Sequence, residues 1–147
     1  MEKKIETIIE ILKKRNLTIG IMESCTGGAI IDSLTNIPGV SEVFKSGKVT
    51  YSDDAKIEAG VDRKVVDRYG VFFMEVAKEM AKKIEGQIGI GVTGNLPGEV
   101  FVAIKIENKI LTEKLILKDE LKDKVEDRKR MKREVVEKVW GMIFTIL

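Results

Sequence analysis

The chain contains no histidine, and its 147 residues include one cysteine, one tryptophan, two prolines and a single glutamine. Without histidine, Ser-His-Asp and Cys-His catalysis and imidazole metal sites are all excluded. A hydrolase built on this chain must deprotonate its nucleophile with lysine, tyrosine, a carboxylate, or a metal held only by oxygens. The lone Cys25 cannot form an internal disulfide, which points to a reducing cytoplasm. No stretch approaches the ~18 apolar residues of a membrane span, and "MEKKIETIIEILKKRN" is too charged for a signal peptide. Charge of one sign is lacking too. A net charge of +2, from 26 bases and 24 acids, argues against a dedicated nucleic-acid binder. Scarce glutamine beside abundant Lys and Glu suggests a thermophilic source.

What is present is a regular alternation. Ile5, Ile8, Ile9 and Leu12 recur at helical spacing over residues 2–15. "TIGIM" reads as a strand, and helical spacing resumes from Gly27 through Ile30, Ile31 and Leu34. Pro38-Gly39 marks a turn. "GKVTYS" (47–52) reads as a strand, followed by a helix from Asp53 that stops at Gly60. A short helix after Asp62 stops at Gly70. "FMEVAKEMAKKIEG" is amphipathic, with Phe73, Val76, Ala77, Met80 and Ile84 on one face. "IGIGV" (88–92) is a buried strand ending at Thr93-Gly94. "EVFVAIKI" and "ILTEKLIL" form a hairpin about Glu107-Asn108-Lys109. A long charged helix runs from Asp119, and its apolar last third packs on the core. The order α-β-α-β-α-α-α-β-β-β-α, with no linker or repeat, predicts one domain over 1–147: an α/β three-layer α/β/α sandwich with a central mixed sheet.

In such sheets, ligands collect at the carboxyl ends of strands. Three polar strand ends stand out. Glu23-Ser24-Cys25-Thr26-Gly27-Gly28 combines a hydroxyl with glycines at a helix start, which suits a nucleophile beside an oxyanion or phosphate. An ordinary capped turn fits it equally. In "VTYSDDAK", Lys56 is a general base if burial lowers its pKa, and otherwise a solvated lysine in a capped helix. "GVTGNLPGE" is a third glycine-bearing end, or a plain turn. The basic run "EDRKRMKRE" reads as a solvated helix face, or, with Lys124, Arg128 and Lys132 on one side, as one from which one or two cations reach an anionic ligand. Five methionines (Met22, Met74, Met80, Met131, Met142) read as core filler, and Trp140 and Phe144 as core or interface. Cys25 reads as a buried, inert thiol.

Taken together and in order, "ESCTGG", "IPGVSEVFKSGKVTYSDDAKIEAGV", "YGVFFMEVAKEMA" and "IGIGVTG" resemble the C-terminal domain of the competence-damage protein family, which also occurs alone as nicotinamide-nucleotide amidase. The resemblance runs from Thr18 to Gly94 and returns at Asp127-Arg128. It implies hydrolysis of nicotinamide mononucleotide (NMN) to nicotinate mononucleotide and ammonia. No metal and no cofactor is implied, and the only partner is a small-molecule nucleotide. By position, Ser24 is the implied nucleophile and Lys56 its base, with Tyr51 assisting or orienting the lysine. Glu23, Thr26, Gly27, Gly28, Thr93, Gly94 and Arg128 are the implied substrate contacts, with amides after Ser24 holding the oxyanion. Nucleic acid and membrane are not expected as partners; the apolar C-terminal end is a candidate homodimer face.

The chain departs from the family pattern in three places. A glycine-rich loop after Thr93-Gly94 is cut to Asn95-Leu96-Pro97-Gly98. A second arginine becomes Lys132, and Phe72-Phe73 replaces a Val-Ser helix cap. The shortened loop keeps open an alternative, a catalytically silent member that binds a nucleotide or a partner protein.

Overall fold

A computed structural model of the chain describes residues 1–69 and 73–147. The elements are α1 (Glu2–Lys14), β1 (Ile19–Glu23), α2 (Ala29–Thr35), β2 (Phe44–Val49), α3 (Asp53–Glu58), α4 (Arg63–Tyr69), α5 (Met74–Lys83), β3 (Ile88–Gly94), β4 (Gly98–Ile106), β5 (Lys109–Leu117) and α6 (Lys124–Ile146), with a 3-10 turn at Val40–Glu42. The strands form one mixed sheet in the order β2-β1-β3-β4-β5. β1 is parallel to both β2 and β3, while β4 and β5 continue antiparallel. The α/β architecture is the one the hydropathy pattern predicts.

Strand alternation divides the sheet into two unlike faces. Ile19 and Ile21 of β1, Ile88, Ile90 and Val92 of β3, and Val100, Val102 and Ile104 of β4 point one way. There they join Ile5, Ile8 and Leu12 of α1, Ile30 and Leu34 of α2, and Val135, Val139 and Trp140 of α6 in one core. The opposite face is built from small residues. A Cβ on Gly89 would sit 2.0 Å from the Ala81 carbonyl oxygen, and one on Gly91 2.1 Å from that of Ala77. The glycines of "IGIGV" therefore let α5 lie directly on the sheet, where Ala77 and Ala81 meet Phe101 and Ala103. Met22, Val61, Val66, Val76, Met80 and Ile84 complete this layer. Trp140 is fully buried and donates Nε1–H to Ser33 Oγ at 2.8 Å. No described helix is long and apolar enough to cross a membrane.

Several expectations change. β2 lies at 44–49 rather than 47–52; it is an exposed edge strand, so no hydrophobic run marks it. The last helix begins at Lys124, not Asp119. Asp123 caps it, accepting from the amides of Val125 and Glu126, and residues 119–123 form the connection. Phe73 precedes α5 and is exposed rather than on its buried face, and Phe144 is exposed whereas Trp140 is core. Met74 and Met142 are only partly buried. The helix stop expected at Gly70 and the replacement at Phe72 lie outside the described residues.

Candidate active site

The carboxyl ends of β1 and β2 create the central contact. Their parallel register pairs Glu23 with Val49, and the Thr50 amide donates to the Glu23 carbonyl at 2.8 Å. Ser24 and Thr50 are thus neighbours just beyond the strand ends. Ser24 is anchored from the other side by its amide, which donates to the Val92 carbonyl at 3.0 Å. The chain then turns into α3, capped by Ser52 Oγ accepting from the Ala55 amide at 3.1 Å. This first turn carries Lys56 back beneath Ser24. Its Nζ lies 3.0 Å from Ser24 Oγ and donates to the Thr50 carbonyl at 2.7 Å.

Lys56 is fully buried and Ser24 is 5% exposed. Burial, only partly opposed by Asp53 and the Cys25 thiol, holds the Lys56 amine below its ordinary value of 10.5. In its neutral form the amine can accept the Ser24 hydroxyl proton while its own N–H bonds the Thr50 carbonyl, an arrangement that suits a base beside a nucleophile. Cys25 is the contrasting neighbour. Burial pushes its thiol up to about 11, so the nucleophilic thiolate is scarce at neutral pH.

Glu23 occupies a structural position. Its Oε1 accepts from Thr26 Oγ1 at 2.5 Å, the Gly28 amide at 2.9 Å and the Ile30 amide at 3.2 Å; Oε2 accepts from the Ile31 amide at 2.8 Å. The fully buried carboxylate thereby satisfies the first-turn donors of α2. Gly27 and Gly28 take φ of +62° and +105°, which glycine adopts without a Cβ penalty. Their amides are already committed, Gly27 to the Ser24 carbonyl and Gly28 to Glu23. Among the described residues, the amides of Cys25 and Thr26 have no such bond to another residue, so these two are the donors left for an oxyanion.

Above Ser24 lies a cavity of about 240 Å³ lined by Ser24, Cys25, Tyr51, Gly94, Asn95, Leu96 and Arg128. Four of the expected residues therefore line this cavity, Ser24, Tyr51, Gly94 and Arg128, and a fifth, Lys56, reaches it through Ser24. Tyr51 does not bond Lys56 or Ser24; its hydroxyl accepts from Arg128 Nη2 at 3.1 Å. Arg128 Nη1 donates to the Leu96 carbonyl. Thr93 is fully buried within β3 and is not among the residues that line the cavity. Gly94 is required by close approach, since a Cβ there would meet the Glu99 carbonyl oxygen at 2.2 Å. Lys132 Nζ lies 3.3 Å from where a Gly27 Cβ would be. A wider groove of about 300 Å³ between α2 and α6 carries Lys129, Lys132 and Arg133. Its one hydroxyl, on Ser33, is already engaged by Trp140 and the Ile30 carbonyl.

Sequence reasoning missed Asn95, Leu96 and the Thr50 carbonyl. The first two lie in the third glycine-bearing strand end, which is both a turn and a cavity wall. A backbone carbonyl leaves no signature in residue type. The partner of Asp127 was also hidden. Its Oδ2 accepts from the Glu120 and Leu121 amides at 2.8 and 3.1 Å, and its Oδ1 from Arg130 Nε and Nη2 at 2.9 and 2.6 Å. Burial opposes the charge, but Arg130 and the two amides outweigh it and hold this carboxyl below its ordinary value.

The family model described as CinA C-terminal domain matches residues 1–144. A curated competence-damage inducible protein from Clostridioides difficile (strain 630) is 38% identical over 126 residues, covering 76% of this chain and 30% of the relative. A CinA-like protein from Dictyoglomus thermophilum is 42% identical over 94 residues, covering 60% of this chain and 23% of the relative. The chain thus spans under a third of these curated relatives. The crystal structure of the competence/damage inducible protein CihA from Agrobacterium tumefaciens superposes with a TM-score of 0.80 at 29% identity, covering 95% of this chain and 93% of that one.

Proposed function

The chain belongs to the CinA C-terminal domain family, and from that premise we propose that it is a serine-lysine amidohydrolase converting NMN to nicotinate mononucleotide and ammonia. The observation that carries this reading is the buried Lys56 Nζ, 3.0 Å from Ser24 Oγ. Lys56 takes the Ser24 proton as Oγ adds to the carboxamide carbon, and the uncommitted amides that follow Ser24 receive the developing oxyanion. Lys56 returns that proton to the leaving nitrogen, the C–N bond breaks, and ammonia departs from a nicotinoyl ester of Ser24. Water, deprotonated by the same amine, then adds to the ester, and Lys56 passes that proton to Ser24 Oγ as the C–O bond breaks and the carboxylate is released. Burial of Lys56 suits this role, since a base works best with a pKa near the operating pH.

The test is NMN-dependent ammonia release by the purified protein, abolished in both Ser24→Ala and Lys56→Ala. An inactive wild type, or full activity in Ser24→Ala, overturns the proposal. A second reading, a silent family member that binds a nucleotide or a partner protein, draws on the short turn at 95–97. It also draws on a cavity smaller than the roughly 300–1,000 Å³ of most ligand pockets. Calorimetry with NMN, nicotinate mononucleotide and ADP-ribose separates the two: binding without turnover favours the silent member.

A further inference from the structure

We propose that Arg128 is a brace that holds the cavity in shape for the amide-bearing head of the substrate, whether or not that substrate carries an anion. The proposal rests on the amidohydrolase reading for its substrate, and on geometry for the rest. Arg128 sits near the start of α6, yet its two terminal nitrogens end on groups from two other parts of the chain. Nη1 donates to the Leu96 carbonyl in the β3–β4 turn, and Nη2 to the Tyr51 hydroxyl in the β2–α3 loop. Both segments line the cavity over Ser24.

Both acceptors are neutral, and a guanidinium presents its donors in a rigid planar fork. One side chain therefore fixes the separation of the two segments. Tyr51 depends on this bond: the residue is 62% exposed, and among the described residues its hydroxyl has no other hydrogen-bond partner. The turn has a tie of its own, the Asn95 amide to the Glu99 carbonyl at 2.9 Å, but that bond closes the hairpin and does not reach across the cavity. Arg128 is in turn held in place by its neighbour. The buried Asp127 carboxylate locks the first turn of α6 to the Glu120 and Leu121 amides and to Arg130, which sets the direction in which residue 128 leaves the helix.

An arginine serving only as an anion contact would matter only for a phosphorylated substrate. A brace matters for every substrate of the site. The experiment compares wild type with Arg128→Ala and Arg128→Lys, the second retaining the charge but not the fork. Ammonia release is assayed with NMN and with its phosphate-free analogue, nicotinamide riboside. Amide hydrogen exchange is followed over residues 94–98. The brace predicts that kcat/KM falls by about tenfold or more on both substrates in Arg128→Ala, and that the turn exchanges about tenfold faster in both variants. If only NMN turnover falls, or if exchange in the turn is unchanged, the brace is overturned. If the wild type turns over neither substrate, the amidohydrolase reading fails, while the exchange rates still decide the brace.

Discussion

Lys56 Nζ and Ser24 Oγ lie 3.0 Å apart, and among the described residues no carboxylate hydrogen-bonds that amine. A buried ammonium lacking a bonded anion is costly, whereas the neutral amine is not. Activity should therefore rise with pH through the lowered value of Lys56, below 10.5, as measured by kcat/KM across a pH series.

The same shift makes a stability prediction of definite sign. The unfolded chain keeps the Lys56 proton up to about pH 10.5, while the folded chain sheds it earlier. The unfolded state then binds more protons, so stability rises with pH across that window. Relative to Lys56→Met, wild type should gain stability from the lowered value up to pH 10.5, as read by urea unfolding. The Met variant should itself be more stable near neutrality, by about 1–3 kcal/mol. A difference that is flat with pH contradicts this account.

Removing either member of the pair should cost activity as if removing both. Ser24→Ala and Lys56→Ala are each expected to lose about a thousandfold or more in kcat, and the double variant no more than either one, because the residues act as a unit. Ammonia release under saturating NMN checks this. Additive losses would mean that they act separately.

Glu23→Gln tests the reading of Glu23 as a structural cap. The carboxylate accepts four hydrogen bonds, and an amide nitrogen in place of one oxygen would face a donor. The expected loss is about 2–3 kcal/mol of stability, seen in urea unfolding. Unchanged stability would return Glu23 to the list of substrate contacts.

Much of the fold could be read from residue order because its strong elements advertise themselves. The α1 stripe, the alternating "IGIGV" and the β4–β5 hairpin each show a clear period. β2 could not be placed well: with most of its residues exposed at the sheet edge, its pattern carries no burial. At the site, residue type offered Ser24 as a nucleophile and Lys56 as a base, each beside an equally ordinary structural reading, and only the family resemblance joined the two. Taken by itself, Lys56 is one of many lysines in a capped helix, and only the β1–β2 register brings it beneath Ser24. Glu23 misled for the opposite reason: an acid beside a glycine turn looks like a ligand contact until the start of α2 is seen above it. Likewise Asp127 adjoins Arg128 in sequence but bonds Arg130, one turn along the helix.

Ser33→Ala offers a clean optical measurement, since Trp140 is the only tryptophan. Its indole N–H would lose its buried acceptor, at a cost of about 1–3 kcal/mol. The emission spectrum should shift and the melting temperature should fall. An unchanged spectrum would place the indole hydrogen bond elsewhere.

The placement of β1 between β2 and β3 has a kinetic consequence. Ser24 and Lys56 both lie early in the chain, yet the Ser24 amide is fixed by Val92, on a strand that is made far downstream. Non-local parallel pairing forms slowly compared with local helices. On refolding from urea, helical signal should return first and ammonia release later, when β3 docks beside β1. Residues 1–69 alone hold both Ser24 and Lys56 but lack the strand that anchors the Ser24 amide, so the Ser24–Lys56 contact is completed late in folding.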